Sequence, residues 1–179
     1  MPQALLVIDM QHGLCSGEQE AFGAPALIGR INHLVEAATQ AGVPVIFVQH
    51  EEADGALRHG SVAWALDHRL AAPADVQCVR KTTPDSFLRT GLHALLTDRG
   101  IDRLVICGLQ SDYCVDTTVR RALALGYPVT LVSDGHSTVD NGVLTAAQIS
   151  AHHNATLRNM QSFGPRVTLI PAADVRFGA

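Results

Sequence analysis

Ala4-Leu-Leu-Val-Ile-Asp9 is a short, almost wholly apolar stretch that ends in a carboxylate. A strand covered on both faces within a parallel sheet has this pattern, because neither of its faces meets water. Comparable stretches recur along the chain, and the one at 75–79 is the weakest. The predicted strands cover residues 4–9, 44–49, 75–79, 104–108, 128–133 and 167–170.

Helical patterns lie between the predicted strands. Apolar residues at 3.6-residue spacing fill 27–38 and precede Gly42, and similar patterns precede Gly100 and Gly126. Glycine favours the left-handed conformation that commonly ends a helix. A last helix is predicted over about 145–160. Alternating strands and helices predict right-handed βαβ units, and therefore a three-layer α/β fold with a parallel sheet.

The composition favours one packed globular domain over 1–179, because 47% of the residues are hydrophobic and 17% are charged. A net charge of −4 gives no basic surface for nucleic acid. No apolar run approaches the roughly 20 residues that span a bilayer. The beginning of the sequence has no basic region followed by a cleavage site. The chain is therefore predicted to be soluble and cytoplasmic, with no nucleic-acid or membrane partner.

A tight turn, Gly108-Leu-Gln-Ser-Asp-Tyr-Cys114, connects a predicted strand to a predicted helix. It brings a thiol to the first helical turn, with Ser111 or Asp112 as the predicted cap. The partial positive charge of a helix N-terminus lowers the pKa of a thiol and stabilises an oxyanion. Cys114 is therefore a candidate nucleophile, although a lone cysteine is also commonly a small buried hydrophobe.

Two charged residues are predicted at the same edge of the sheet. Asp9 directly ends an apolar strand, where open α/β sheets bind ligands, although a helix cap or a salt bridge would also explain it. Lys81 follows the weak strand, although it could instead be a solvated lysine beside Arg80. Together with Cys114 they supply a base, a cation and a nucleophile, which thiol acyl transfer requires.

These motifs resemble those of the isochorismatase-like cysteine hydrolases, which include nicotinamidases and carbamoylsarcosine amidases. The resemblance covers roughly residues 4–171. It is carried by Val7-Ile-Asp9-Met-Gln11, Lys81-Thr-Thr-Pro-Asp-Ser-Phe87, Gly108-Leu-Gln-Ser-Asp-Tyr-Cys114-Val-Asp-Thr-Thr118 and Gly126-Tyr-Pro-Val-Thr-Leu-Val-Ser-Asp134.

The resemblance implies a structure and a set of site residues. It implies a Rossmann-like sheet of six parallel strands in the order 3-2-1-4-5-6, with helices on both faces. Asp9, Lys81 and Cys114 would form an Asp-Lys-Cys catalytic triad. A non-proline cis peptide bond would join Leu109 to Gln110, and the backbone N–H groups of Gln110 and Cys114 would form an oxyanion hole. A homodimer or homotetramer is also implied.

The implied activity is a cysteine-dependent amidohydrolase that cleaves a C–N bond of a small amide, ureido or lactam compound through a thioester on Cys114. Members that cleave the enol ether of isochorismate lack the cysteine. The alternatives are a nicotinamidase-type or isochorismatase-type hydrolase, or a catalytically silent binding protein with the same fold. A nucleotide-binding domain is disfavoured, because no GxGxxG follows the first strand and no GxxxxGK[ST] occurs.

No metal or other cofactor is predicted. Metal-dependent nicotinamidases carry an aspartate where Gln49 stands. The nine-residue gaps between His50, His59 and His68 are unlike compact zinc-ligand spacings, although a metal on one of these histidines is left open.

The loop at about 50–73 is predicted to form a wall of the substrate pocket, because long loops at this edge are often functional. His50, Trp64, Phe87 and Tyr113 are the predicted substrate contacts. Packing of the loop would explain Trp64 equally well, and a hydrogen bond to the loop backbone would explain His50.

Among the other cysteines, Cys15 is predicted to be an incidental exposed thiol and Cys78 and Cys107 to be buried.

Overall fold

A computed structural model of the chain describes residues 2–73 and 76–178. Its strands form one parallel sheet of six members in the order β3-β2-β1-β4-β5-β6, which confirms the predicted fold class and topology. The strands are β1 (Gln3–Ile8), β2 (Val45–His50), β3 (Gln77–Lys81), β4 (Arg103–Leu109), β5 (Val129–Ser137) and β6 (Val167–Ile170). Asp75, which the sequence analysis included in the third strand, lies outside the described residues. That strand instead extends to Lys81.

The helices lie between the strands, and the predicted glycines follow three of them. They are α1 (His12–Cys15), α2 (Ala24–Gln40), α3 (Leu92–Asp98), α4 (Asp116–Ala124) and α5 (Ala146–Arg158). Gly42, Gly100 and Gly126 have φ angles of 67°, 63° and 96°, as the predicted helix ends require. A capping box between Thr145 and Gln148 begins α5. None of the described helices combines the length and the apolar composition needed to cross a membrane.

The core has two parts, one on each face of the sheet. Leu6 and Ile8 of β1 pack in a cluster with side chains of α3 and α4, whereas Leu5 and Val7 pack in a cluster with side chains of α2. Successive side chains of a strand point to opposite faces, so β1 contributes to both clusters. This accounts for the uninterrupted apolar pattern from which the fold was predicted.

The cysteines differ in part from the predictions. Cys107 is buried in β4, as predicted. Cys78 is exposed, because β3 is an edge strand in which buried and exposed residues alternate. Cys15 is buried, because α1 packs its thiol into the same cluster as α2. The sequence predictions for Cys78 and Cys15 are therefore wrong.

β1 and β4 are neighbours at the centre of the sheet, where the strand order reverses. Their backbones approach closely at Gly108, where φ is 120° and a Cβ atom would overlap the backbone of Ile8. Crevices at such reversal points are the usual ligand sites of open α/β sheets. The chain leaves β1 at Asp9 and leaves β4 at Gln110, so both predicted site segments begin there.

Candidate active site

The three predicted catalytic side chains meet at the ammonium group of Lys81. Its Nζ atom lies 2.7 Å from Oδ2 of Asp9 and 3.1 Å from Sγ of Cys114. A third partner, Nδ1 of His50, lies 3.2 Å away. The Asp9 and Lys81 residues are each only 1% exposed, so this ion pair is buried. An ammonium group has three N–H donors, and all three have an acceptor here.

The order of the strands explains how Lys81 reaches Asp9. Lys81 is the last residue of β3, and in the sheet register it pairs with His50, the last residue of β2. Because β2 lies between β1 and β3, the lysine side chain extends past His50 to reach the residue that follows β1. That residue, Asp9, has a φ of 49°, a conformation that non-glycine residues seldom adopt.

The Asp9 carboxylate has one oxygen that accepts no hydrogen bond. Oδ2 is bonded to Lys81, whereas the buried Oδ1 has no partner among the described residues. A carboxylate oxygen of Asp9, a ring nitrogen of His50 and the Cys114 sulfur all lie within 4.8 Å of one another. A buried acceptor without a donor is unusual and calls for an explanation. Beside a thiol, this oxygen is a suitable acceptor for the thiol proton.

The charges of the site favour a protonated thiol in the resting protein. Burial raises the pKa of Cys114 to about 12, and the Asp9 carboxylate adds to the rise, while Lys81 opposes it. The sequence prediction of a lowered pKa is therefore wrong, because burial and the neighbouring carboxylate outweigh the cation.

The pKa values of the two basic residues shift in opposite directions. Burial acts to lower the pKa of Lys81, but the interactions with Asp9 and, after it, Cys114 outweigh burial, so the net shift is upward. Burial, followed by the charge of Lys81, lowers the pKa of His50. The site therefore combines an ammonium group with a neutral imidazole whose Nδ1 accepts from it.

The turn after β4 carries the thiol. The peptide bond between Leu109 and Gln110 is cis, as the resemblance implied. Residues Ser111–Val115 form a short π-helical turn before α4, and the backbone N–H groups of Tyr113 and Val115 donate to the Gln110 carbonyl, each at 3.1 Å.

Ser111 and Asp112 do not cap the helix with their side chains, which corrects the sequence prediction. The Ser111 hydroxyl instead lies 2.7 Å from Nδ1 of His136 and 2.9 Å from the hydroxyl of Ser150. The Asp112 carboxylate accepts a hydrogen bond of 2.6 Å from Thr138. The turn is therefore tied to the end of β5 and to α5.

A cavity of about 230 Å³ opens beside the thiol. Its lining residues are Asp9, Leu14, His50, Glu52, Leu57, Pro84, Gln110, Tyr113 and Cys114. Two of the four predicted substrate contacts, His50 and Tyr113, are in this lining. Glu52 also lines the cavity and was not singled out from the sequence. It lies two residues after the end of β2. His50 was predicted because it lies at the start of the long loop at the ligand-binding edge of the sheet, and the same argument applies to Glu52.

The other two predicted substrate contacts lie elsewhere. Phe87 is buried in the core, with its ring stacked on Tyr127 at a centroid distance of 6.1 Å. Trp64 packs edge-on against His59 at 4.6 Å. Neither is among the described residues that line the cavity. Packing of the loop, the alternative considered for Trp64, agrees better with its position.

Two groups of potential metal ligands occur among the described residues. The first is Asp9, His50 and Cys114, whose ligating atoms surround the Lys81 ammonium, and this charge would repel a metal ion at the same point.

The second group is His12, Asp67 and His68. Arg69 engages both oxygens of Asp67, at 2.7 and 3.0 Å. His59 belongs to neither group. Gln49 uses its amide to donate to the carbonyl of Trp64 at 3.1 Å.

The chain is similar to known proteins in sequence and in fold. The model of the Isochorismatase domain matches residues 3–170. Streptothricin hydrolase from Streptomyces noursei is 35% identical over 175 residues, which cover 96% of this chain but 63% of that protein. The chain therefore spans less than two thirds of that relative.

Among solved structures, an isochorismatase family protein is 39% identical with a TM-score of 0.85, covering 94% of this chain and 97% of its own. An isochorismatase from Pseudomonas putida KT2440 is 30% identical with a TM-score of 0.88, covering 97% and 89%.

Proposed function

Because the chain belongs to the isochorismatase family, we propose that it is a cysteine-dependent amidohydrolase that cleaves a C–N bond of a small amide, ureido or lactam compound. The observation that carries this proposal is the buried contact of Lys81 Nζ with Asp9 Oδ2 at 2.7 Å and with Cys114 Sγ at 3.1 Å. A base, a cation and a nucleophile within one hydrogen-bonded group are the parts of thiol acyl transfer.

The first half of the reaction forms a thioester. Asp9 accepts the thiol proton through its unpartnered Oδ1 as the Cys114 sulfur attacks the substrate carbonyl carbon. Lys81 stabilises the developing thiolate. The backbone N–H groups of Gln110 and Cys114 are the proposed donors to the oxyanion. When the tetrahedral intermediate collapses, protonated Asp9 gives its proton to the leaving nitrogen, and ammonia or an amine departs.

The second half hydrolyses the thioester. Asp9, again a carboxylate, removes a proton from a water molecule whose oxygen attacks the thioester carbonyl. Collapse of this second intermediate breaks the C–S bond and releases the carboxylic acid. The proton on Asp9 returns to the sulfur and restores the thiol. The sum is one amide and one water converted to one acid and one amine, with no oxidant or reductant.

The resting thiol suits this sequence of steps. Because burial and Asp9 raise the pKa of Cys114, the resting group is a thiol, and its proton passes to Asp9 as the sulfur attacks. The cavity of about 230 Å³ is smaller than the roughly 300–1,000 Å³ of pockets that hold drug-sized ligands. The substrate, or the part of it that enters, is therefore small.

The test is turnover of a panel of primary amides, ureido compounds and lactams, followed by release of ammonia or amine. Acid-quenched samples are digested to seek an acyl group on the Cys114 peptide by mass. We expect Cys114→Ser to lose roughly 10⁴-fold or more of the activity and to lose the acyl adduct. The control is Cys78→Ser, which removes an exposed thiol of β3. Undiminished turnover in Cys114→Ser would refute the proposal.

A further inference from the structure

The charges around the candidate site do not cancel. The carboxylate of Asp9 is paired with the ammonium of Lys81 at 2.7 Å. Burial and Lys81 lower the pKa of His50, so its ring adds no positive charge at neutral pH. Burial and Asp9 keep Cys114 as a thiol. The remaining ionisable carboxylate in the cavity lining is that of Glu52.

The Glu52 carboxylate has no cationic partner within the described part of the chain. Arg80, the basic residue of β3, pairs instead with Glu51 at 2.7 Å. Arg58 forms a backbone bridge with Glu52, but no ion pair joins their side chains. The lining of the cavity therefore includes one solvent-exposed carboxylate that no described side chain pairs with.

The backbone after β2 forms a turn beside this carboxylate. The chain folds back after β2, so that the Glu52 N–H donates to the Leu57 carbonyl at 3.2 Å. Gly55 lies inside this fold with a φ of 107°, and a Cβ atom there would be 2.7 Å from Oε2 of Glu52. A positive φ of this size favours glycine, and the flexible end of the exposed Glu52 side chain lies beside it.

We propose that Glu52 selects substrates that carry a positive charge, so that the amide cleaved at Cys114 belongs to a small molecule with an ammonium or guanidinium group. This inference rests on the proposed function, since it names the substrates of the same site. A cation on the substrate gains a charge-assisted hydrogen bond to Glu52. A carboxylate on the substrate meets a like charge, so the same group rejects anionic amides.

The first arm of the test measures the charge preference of the site without any turnover. Cys114 is treated with two methanethiosulfonates of similar size, one with an aminoethyl group and one with a sulfonatoethyl group. Peptide mass separates Cys114 from the exposed Cys78. We expect the cationic reagent to react at least about fivefold faster in the wild type. This ratio should fall towards one in Glu52→Gln.

The second arm measures hydrolysis of a matched series: 5-aminopentanamide, hexanamide and glutaramate, which are cationic, neutral and anionic. We expect kcat/KM to decrease in that order, with about tenfold between the cationic and neutral amides. In Glu52→Gln this ratio should collapse. Glu51→Gln is the matched control, because it removes a neighbouring carboxylate that is paired with Arg80 and absent from the cavity lining, so the ratio should stay unchanged.

The two arms separate the two proposals. Equal rates of the two thiol reagents in the wild type, or a ratio that Glu52→Gln leaves unchanged, would overturn the inference about Glu52. Hydrolysis of the three amides at equal kcat/KM would overturn it as well. If none of the amides is hydrolysed while the thiol reagents show the expected ratio, the cationic selectivity of the cavity stands and the hydrolase proposal has failed for these amides.

Discussion

Two groups of polar side chains contact the turn that carries Cys114. In the first, Asp9 and Lys81 form a buried ion pair beside the thiol, and one Asp9 oxygen has no partner among the described residues. In the second, Ser111 bonds to His136, whose second ring nitrogen lies 3.0 Å from the side-chain oxygen of the half-buried Asn154. The first group is charged and incompletely hydrogen-bonded; the second is uncharged and fully bonded.

The difference indicates which group does chemistry and which one positions the turn. A fully bonded buried network fixes a geometry, whereas an acceptor left free can receive a proton. The other buried side-chain atom without a described partner, Nε1 of Trp64, is an N–H donor and cannot take that role.

The sizes of the two neighbouring cavities do not show which of the two groups does the chemistry. A cavity of about 490 Å³ lies beside His136 and Asn154 of the uncharged group, whereas the cavity at Cys114 has about 230 Å³. The larger cavity has no thiol in its lining. The smaller one combines a nucleophile with a free acceptor, and for that reason it is the candidate active site.

Among the variants that test this comparison between the two groups, the largest effect is expected from Asp9→Asn, which should separate turnover from thiol reactivity. Turnover should fall by about 10²- to 10⁴-fold, because the general base is lost. Alkylation of Cys114 by iodoacetamide at pH 8 should become faster, because Asp9 raises the pKa of the thiol and Lys81 lowers it. The measurements are amide turnover and the alkylation rate from peptide mass.

Cys78 in the same samples is an internal control for the alkylation, because its thiol lies on the exposed edge strand β3. Slower alkylation of Cys114 in Asp9→Asn, with Cys78 unchanged, would contradict the assigned effect of the carboxylate on the thiol.

The next largest effect is expected on the stability of the protein when the buried ion pair is broken. Lys81→Met leaves the Asp9 carboxylate buried without its cation, which typically costs about 3–5 kcal/mol. The free energy of unfolding in urea should decrease by this amount. The double variant Asp9→Asn with Lys81→Met should recover most of the loss, because no unpaired charge remains. If the double variant is as unstable as Lys81→Met, the ion pair does not explain the loss.

The residues of the charged group could largely be predicted from the sequence, because the ends of the strands that carry them could be predicted. Asp9 and Lys81 each lie at the end of a strand whose apolar pattern marks its position, and parallel strands bring these ends to one edge. Cys114 lies within a short turn after a third strand. The Ser111 and His136 contact was not predicted, because it joins residues 25 positions apart through the unpredicted extension of β5 to Ser137.

Properties that depend on several neighbouring groups at once were also not predicted from the sequence. The pKa of Cys114 rises because burial and Asp9 outweigh Lys81, a balance that needs distances rather than an order of residues. Phe87 is the last residue of the motif that begins at Lys81, yet its ring packs into the core. Cys78 is exposed because its strand is at the sheet edge, and an apolar pattern alone does not show which strand has only one neighbour.

A smaller effect is expected from His136, which should make stability depend on pH. Burial lowers the pKa of His136 in the folded state. Below the unfolded value of about 6.5, the unfolded chain therefore binds a proton that the folded chain does not. Stability should fall as the pH decreases through this range, by up to about 1.4 kcal/mol per pH unit for this group.

His136→Gln should make that slope shallower between pH 5 and pH 8, because it removes the ring that titrates. The remaining slope should include His50, whose pKa shifts in the same direction. Urea unfolding across this range measures it, with His152→Gln on the exposed part of α5 as the control. An unchanged slope in His136→Gln would rule out this contribution.

The smallest effect is expected from Ser150→Ala, which tests whether the uncharged group only positions the turn. The variant removes one hydrogen bond of 2.9 Å to Ser111 and leaves the bond between Ser111 and His136 in place. Unfolding should become easier by about 1 kcal/mol, and turnover should stay within about threefold of the wild type. The pH dependence of Cys114 alkylation should not move, because no charge near the thiol has changed. A loss of turnover as large as that of Asp9→Asn would mean that the uncharged group takes part in the chemistry.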